Sequence, residues 1–152
     1  MEFLGGLHKL VIHFPIALLL TYCVLEFIGM FLKESFVSKT AFLILFLGII
    51  GSVAAVLTGN QAEKLWLLWN PESREVLHEH EKYATMLLWY FTLLLGLRTH
   101  LVLKKKFTGR TRLYFIPLIL LGAFLIYKTG EEGGEMVYKH GVGIETLNNR
   151  QK

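Results

Sequence analysis

Residues 69–103 read WNPESREVLHEHEKYATMLLWYFTLLLGLRTHLVL. Asn70 is a favourable N-cap residue and Pro71 suits the first position of a helix, so a helix is predicted to begin at Pro71. The stretch contains no further proline and continues to about Leu103. A helix of about 30 residues is about 45 Å long, which exceeds the roughly 30 Å hydrocarbon core of a bilayer. The stretch therefore predicts a membrane-spanning helix that extends beyond one membrane edge.

Three further apolar stretches accompany this helix. The chain has 152 residues, of which 53% are apolar and only 18% are charged, whereas about a quarter of the residues of a soluble domain are charged. The predicted spans cover residues 10–32, 41–58, 83–103 and 113–130, and the second helix is expected to run from about Thr40 to Trp69. The sequence thus predicts an all-α protein: a single four-span membrane domain over residues 1–152, folded as a transmembrane four-helix bundle with helices extended beyond the outer membrane edge.

The distribution of basic residues predicts the orientation in the membrane. Lys33 and Lys39 lie between the first two spans, and five bases without any acid lie between the last two, namely Lys104, Lys105, Lys106, Arg110 and Arg112. By the positive-inside rule both connections are cytoplasmic. We therefore expect a multi-pass protein of the bacterial cytoplasmic membrane with both termini on the periplasmic or extracellular side. The net charge of +4 then favours anionic lipid as a partner and not nucleic acid.

Histidines gather at the predicted outer end of the bundle. His80 continues an apolar stripe with Ala84, Leu87 and Phe91 and is predicted to face inward, whereas His78 points to another side. His13 lies two residues before Pro15, where a helix starts or kinks. If the first helix begins near Leu4, four histidines lie at comparable height, namely His8, His13, His80 and His140.

Imidazole is the commonest protein ligand for transition metals and a ligand of haem iron. The first hypothesis is a membrane electron-transfer protein with haem b, in which His13 and either His80 or His140 are the axial ligands and the other outer histidines surround the haem. The second is a non-haem site for a copper, zinc or iron ion, built from three or four of the same histidines: His13, His80 and His140, with or without His8. The third is a cofactor-free membrane anchor, which serves as a subunit of a homo-oligomer or larger complex.

Enzymatic chemistry other than redox has little support in the sequence. No nucleophile with a paired base, no phosphate-binding loop and no zincin helix is present, so the chain is at most a redox subunit. A di-iron carboxylate site needs a Glu-x-x-His sequence on each of two helices, and Glu75-Val76-Leu77-His78 supplies only one of them. The only cysteine, Cys23, has no second thiol within this chain with which to form a disulfide.

Small residues and one carboxylate mark the helix interfaces. Gly48, Ser52, Ala55, Gly59 and Ala62 form one row, and Gly122, Ile126, Gly130, Gly133, Val137 and His140 form another. Such rows allow close helix packing or clear a slot for a flat ligand. Glu26 lies inside the first span. It either forms an ion pair with Arg98 or His100, or belongs to a proton route or a quinone headgroup site.

Two end motifs carry a family resemblance. The first is His8-Lys9-Leu10-Val11-Ile12-His13-Phe14-Pro15, and the second runs from Gly133-Gly134 through Val137-Tyr138-Lys139-His140 to Gly141-Val142-Gly143. With them the chain resembles, over essentially its whole length, a bacterial family of small four-helix membrane proteins classed as a domain of unknown function. Some members are joined to Rieske domains, which implies electron transfer near quinone or a redox partner protein. On this chain the resemblance concerns His8, His13 and His140, and Lys9 stands where members commonly have proline.

Overall fold

A computed structural model describes residues 2–32, 35–108 and 110–144, so Lys33 of the first basic connection lies outside the described residues. These residues form helices only, which confirms the predicted all-α class. The helices are α1 (Glu2–Val11), α2 (His13–Phe31), α3 (Ser35–Leu65), α4 (Pro71–Leu103), α5 (Arg110–Leu113) and α6 (Phe115–Tyr138).

Four helical segments are long and apolar enough to cross a membrane. They are span one (Phe3–Phe31), span two (Phe36–Leu65), span three (Pro71–Leu103) and span four (Thr111–Tyr138). Span one packs against spans two and four, and span three packs against the same two neighbours. Spans one and three therefore lie diagonally opposite each other in a transmembrane four-helix bundle, as the sequence predicts.

Two prolines explain why spans one and four each consist of two helices. Pro15 has no amide hydrogen to donate to the carbonyl of Val11, and the helix is interrupted at Ile12. The neighbouring bond, from the amide of Ile16 to the carbonyl of Ile12, is stretched to 3.5 Å. Pro117 has the same effect at Tyr114, between α5 and α6. The prediction that a helix starts or kinks at His13 is thus confirmed, because α2 begins at that residue.

The connection between spans two and three is longer than the sequence indicates. Helix α3 ends at Leu65 and not near Trp69. The amide of Trp66 bonds to the carbonyl of Glu63 at 3.3 Å, and the indole of Trp69 folds back to donate to the same carbonyl at 3.3 Å. Because these donors satisfy a helix-terminal carbonyl, the chain leaves the helix earlier and Trp69 lies beside its end.

Helix α4 begins where the sequence predicts. The side chain of Asn70 accepts a hydrogen bond of 2.7 Å from the amide of Ser73, and the hydroxyl of Ser73 accepts one of 3.1 Å from the amide of Asn70. This reciprocal capping box satisfies two amides, and Pro71 occupies the position after the cap.

Small residues let the spans approach closely. A Cβ atom at Gly48 would lie 2.6 Å from the side chain of Leu19, and one at Gly122 would lie 2.8 Å from Phe91. Gly48 and Gly122, which belong to the two predicted rows of small residues, therefore allow close helix packing. Gly130 differs, because a Cβ there would meet nothing within 4 Å.

The Asn70 cap gives a direct test of the α4 start. We expect Asn70→Ala to lower the free energy of unfolding by about 1 kcal/mol, because the amide of Ser73 loses the side-chain oxygen that accepts its hydrogen bond. Unfolding in detergent micelles, followed by circular dichroism, measures the change. The control is Asn60→Ala on the exposed face of α3, which should not destabilise the protein. Equal losses in both variants would contradict the assigned cap.

Candidate functional site

His8 is held in a defined tautomer by span two. Its Nδ1 lies 3.0 Å from Oγ1 of Thr58. The single hydroxyl proton of Thr58 is directed to the carbonyls of Ala54 and Ala55, at 2.9 and 3.1 Å. With its proton donated to these carbonyls, the hydroxyl oxygen accepts a hydrogen bond from Nδ1 of His8, and we assign His8 the tautomer that is protonated on Nδ1. In the neutral ring this leaves the lone pair on Nε2.

His80 is held in the same way by span four. Its Nδ1 lies 3.0 Å from the carbonyl oxygen of Thr129. Because a carbonyl only accepts, Nδ1 donates, and the neutral ring again has a free lone pair on Nε2. The predicted inward orientation of His80 is confirmed by this contact. Neither Nε2 has a hydrogen-bond partner within residues 2–32, 35–108 and 110–144.

Each ring lies against a glycine of the neighbouring span. A Cβ at Gly59 would be 3.1 Å from Cε1 of His8, and one at Gly133 would be 3.3 Å from Cε1 of His80. Both contacts are tighter than ordinary van der Waals packing, so glycine provides the space in which the imidazole lies. The small-residue rows thus clear room for two histidine rings at this level.

The two rings come from diagonal spans and interact electrostatically with each other. Glu132 of span four also lies within electrostatic range of His80. All four spans therefore contribute to one site, which we call the histidine pair: His8 and His80 with their partners Thr58, Gly59, Thr129 and Gly133. The end of the bundle that carries it is called the histidine end.

The other histidines are placed differently. His13 and His78 are exposed, as is His100, and His140 is half-buried in the turn after α6. Of the four predicted site residues, the structure thus places His8 and His80 within electrostatic range of each other, and it gives no contact of His13 or His140 with them within the described residues. No group of three or more His, Cys, Asp or Glu side chains that could hold a metal ion occurs in the described part of the chain.

The two end motifs meet beside the histidine pair. Gly141, with a positive φ of 66°, reverses the chain after α6, and the amide of Val142 bonds to the carbonyl of Met136 at 3.0 Å. The following turn places the carbonyl of Gly143 where the ammonium group of Lys9 donates to it. The rear motif therefore forms a turn that docks on α1 next to His8.

A buried ion pair lies toward the opposite end of the bundle. Nη1 of Arg98 is 2.9 Å from Oε2 of Glu26, and both side chains are 0% exposed. Nη2 of Arg98 donates to the carbonyl of Ser38 at 2.8 Å. The guanidinium also lies over the ring of Phe107, 5.0 Å from its centroid. The predicted pairing of Glu26 with Arg98 is confirmed, and His100 takes no part in it.

The hydrogen-bond partners of the histidines are what sequence reasoning missed. Thr58 directly precedes Gly59 of the predicted small-residue row, so its position was visible although its role was not. Thr129 uses a backbone carbonyl, which every residue possesses, and no sequence signal distinguishes it. Only the packing of spans three and four selects that carbonyl for His80.

The assigned tautomers can be tested by ¹⁵N NMR of histidine-labelled protein. We expect protonated Nδ1 and unprotonated Nε2 in both His8 and His80. In Thr58→Val the hydroxyl acceptor is lost, so the signals of His8 should change while those of His80 stay. His80 thus serves as the internal control, and an unchanged His8 spectrum would contradict the assignment.

Comparison with known proteins supports the fold. The sequence model of the family described as "Predicted membrane protein (DUF2231)" matches residues 5–146. No curated protein and no solved structure matches the chain. The matched range includes all four spans, the histidine pair and the buried ion pair. The chain therefore belongs to the DUF2231 family of predicted membrane proteins.

Proposed function

We propose that this membrane protein binds the iron of a b-type haem through His8 and His80 and acts in electron transfer. The observation that carries the proposal is the pair of free Nε2 lone pairs, supplied by diagonal spans at one level of the bundle. Histidine is a common ligand of haem iron, and cofactor sites in helix bundles are built from side chains on facing helices, so His8 and His80 would hold the iron from two spans.

The hydrogen bonds at Nδ1 support this assignment. A histidine that ligates a metal almost always donates its other ring hydrogen to a carbonyl, carboxylate or similar acceptor, which fixes the ring orientation and raises the ligand basicity. His80 donates to the carbonyl of Thr129, and His8 donates to the hydroxyl of Thr58. The donor set of this chain thus fits the iron of a haem.

The proposal assigns roles to residues of this chain. His8 and His80 would hold the iron, and Thr58 and Thr129 would orient the two rings. A bound haem supplies one-electron redox chemistry, while burial and the ligand set adjust its potential. With the basic connections on the cytoplasmic side, the histidine end lies on the periplasmic or extracellular side, where a redox partner or membrane quinone would exchange electrons.

The spectrum of the purified protein tests the proposal. We expect b-type bands in the reduced-minus-oxidised difference spectrum and their loss in His8→Ala and in His80→Ala, because each variant would remove one of the two proposed iron ligands. His78→Ala is the matched control, since His78 lies on the same helix as His80 but is exposed.

Other outcomes separate the alternatives. A colourless wild-type protein with a stoichiometric metal ion would replace haem by a non-haem site. A colourless, metal-free protein would leave the anchor hypothesis. Loss of the bands in His13→Ala but not in His8→Ala would overturn the proposed ligand pair.

A further inference from the structure

The buried positions of span one recur in span three. Pro15, Leu19, Tyr22 and Glu26 are buried in the first, and the positions 72 residues later, Leu87, Phe91, Leu94 and Arg98, are buried in the third. The exposed positions agree as well: residues 17, 21 and 24 and residues 89, 93 and 96 all face outward. The two spans therefore present the same faces to the bundle.

Spans two and four repeat each other with an offset of 74 residues. The buried positions Ala41, Leu45, Gly48 and Ser52 correspond to Phe115, Ile119, Gly122 and Ile126, which are also buried. The identities of these residues differ, apart from the glycines. The recurrence is thus a property of the packing and not an evident sequence repeat.

Specific contacts follow the same two offsets at the histidine end. The ring of His8 lies on Gly59 and bonds through Nδ1 to Thr58, whose hydroxyl lies 3.1 Å from the carbonyl of Ala55. The ring of His80 lies on Gly133 and bonds to the backbone of Thr129. His80 corresponds to His8 by the offset of 72 residues, and Gly133 and Thr129 correspond to Gly59 and Ala55 by the offset of 74. Span one thus meets span two as span three meets span four.

The remaining interfaces also correspond. Arg98 of span three donates to Ser38 of span two. The matching positions are Glu26 and Arg112, and these two side chains interact electrostatically between spans one and four. A Cβ at Gly29 would lie 2.9 Å from Nη2 of Arg112, so the guanidinium lies directly against span one.

We infer that the chain consists of two equivalent helix hairpins packed about a pseudo-two-fold axis. The first hairpin is formed by spans one and two, and the second by spans three and four. In this arrangement Glu26 and Arg98 are positioning residues that hold the histidine pair in register on that axis. Each hairpin crosses the membrane twice, so the two have the same orientation and the axis runs along the membrane normal. Ligand sites of such repeat proteins lie at the interface between the repeats.

The equivalence explains why the ion pair acts on the histidines. His8 and Glu26 are 18 residues apart in the chain, as are His80 and Arg98, which is about five helical turns or roughly 27 Å. Both pairs therefore join equivalent positions of the two hairpins. A shift of one hairpin by a helical turn would separate both pairs together, and a buried charge without its partner strongly opposes such a shift. The inference rests on the proposed function only for the identity of the ligand.

The test exchanges the four polar residues between the hairpins. The two-residue exchange Glu26→Arg with Arg98→Glu would place a guanidinium beside Arg112 and a carboxylate beside the carbonyl of Ser38. The four-residue exchange adds Ser38→Arg and Arg112→Ser and so recreates the ion pair and its contacts at residues 38 and 112 with the two hairpins interchanged. We expect the folded-to-unfolded ratio in a denaturing-detergent titration to fall by a factor of roughly 100 for the two-residue exchange, and to be largely restored by the four-residue exchange.

A distance measurement reports the register without any cofactor. Nitroxide labels at Gly6→Cys and His78→Cys, in a Cys23→Ala background, occupy equivalent exposed positions two residues before each histidine of the pair. Electron–electron resonance in lipid nanodiscs should give one narrow distance for the wild-type protein and for the four-residue exchange. Glu26→Gln and Arg98→Gln should broaden or shift it.

The outcomes separate this inference from the haem proposal. The equivalence of the hairpins would be overturned if the four-residue exchange did not fold, or if it were no more stable than the two-residue exchange. An unchanged label distance in folded Glu26→Gln and Arg98→Gln would overturn the positioning role. A colourless protein with the expected distances would remove the haem proposal and leave the two-hairpin arrangement in place.

Discussion

The removal of two opposite charges from water constrains the whole bundle. Glu26 and Arg98 are completely buried among apolar helices, where an isolated charge costs several kcal/mol or more. They are tolerated only while their partners remain within bonding distance, and the neighbouring helices must supply the remaining contacts. Ser38 does so with its carbonyl, and the ring of Phe107 does so with its π face. The pair therefore fixes how spans one and three face each other.

The histidine end shows the same logic with neutral groups. An imidazole that is partly removed from water needs a partner for its ring hydrogen. Thr58 and the carbonyl of Thr129 meet that need on the same ring atom of each histidine. Each ring is thereby left with an Nε2 atom that has no hydrogen-bond partner among the described residues. The same packing contacts thus satisfy the ring hydrogens and determine which nitrogen of each ring remains free.

Helix boundaries illustrate where local chemistry is sufficient. Asn70, Pro71 and Ser73 start α4 by contacts within four residues, so the sequence predicts this boundary correctly. The end of α3 depends on an indole that returns from Trp69 to the carbonyl of Glu63, and the predicted boundary was four residues too late. The inward face of His80 and the partner of Glu26 were also predictable, because helical periodicity and the high cost of a buried charge leave few arrangements.

The sequence by itself determined the four membrane spans, the start of α4 at Asn70 and Pro71, and the candidate histidines. Hydropathy, capping and periodicity predict these features because they act within a single helix. The tertiary structure decided which histidines meet. His8 and His80 are 72 residues apart, and their meeting depends on which glycine and which carbonyl of a neighbouring span each ring finds. The correspondence of the two hairpins likewise appears only in the packing, because burial depends on contacts between helices and the residues at equivalent positions differ in type.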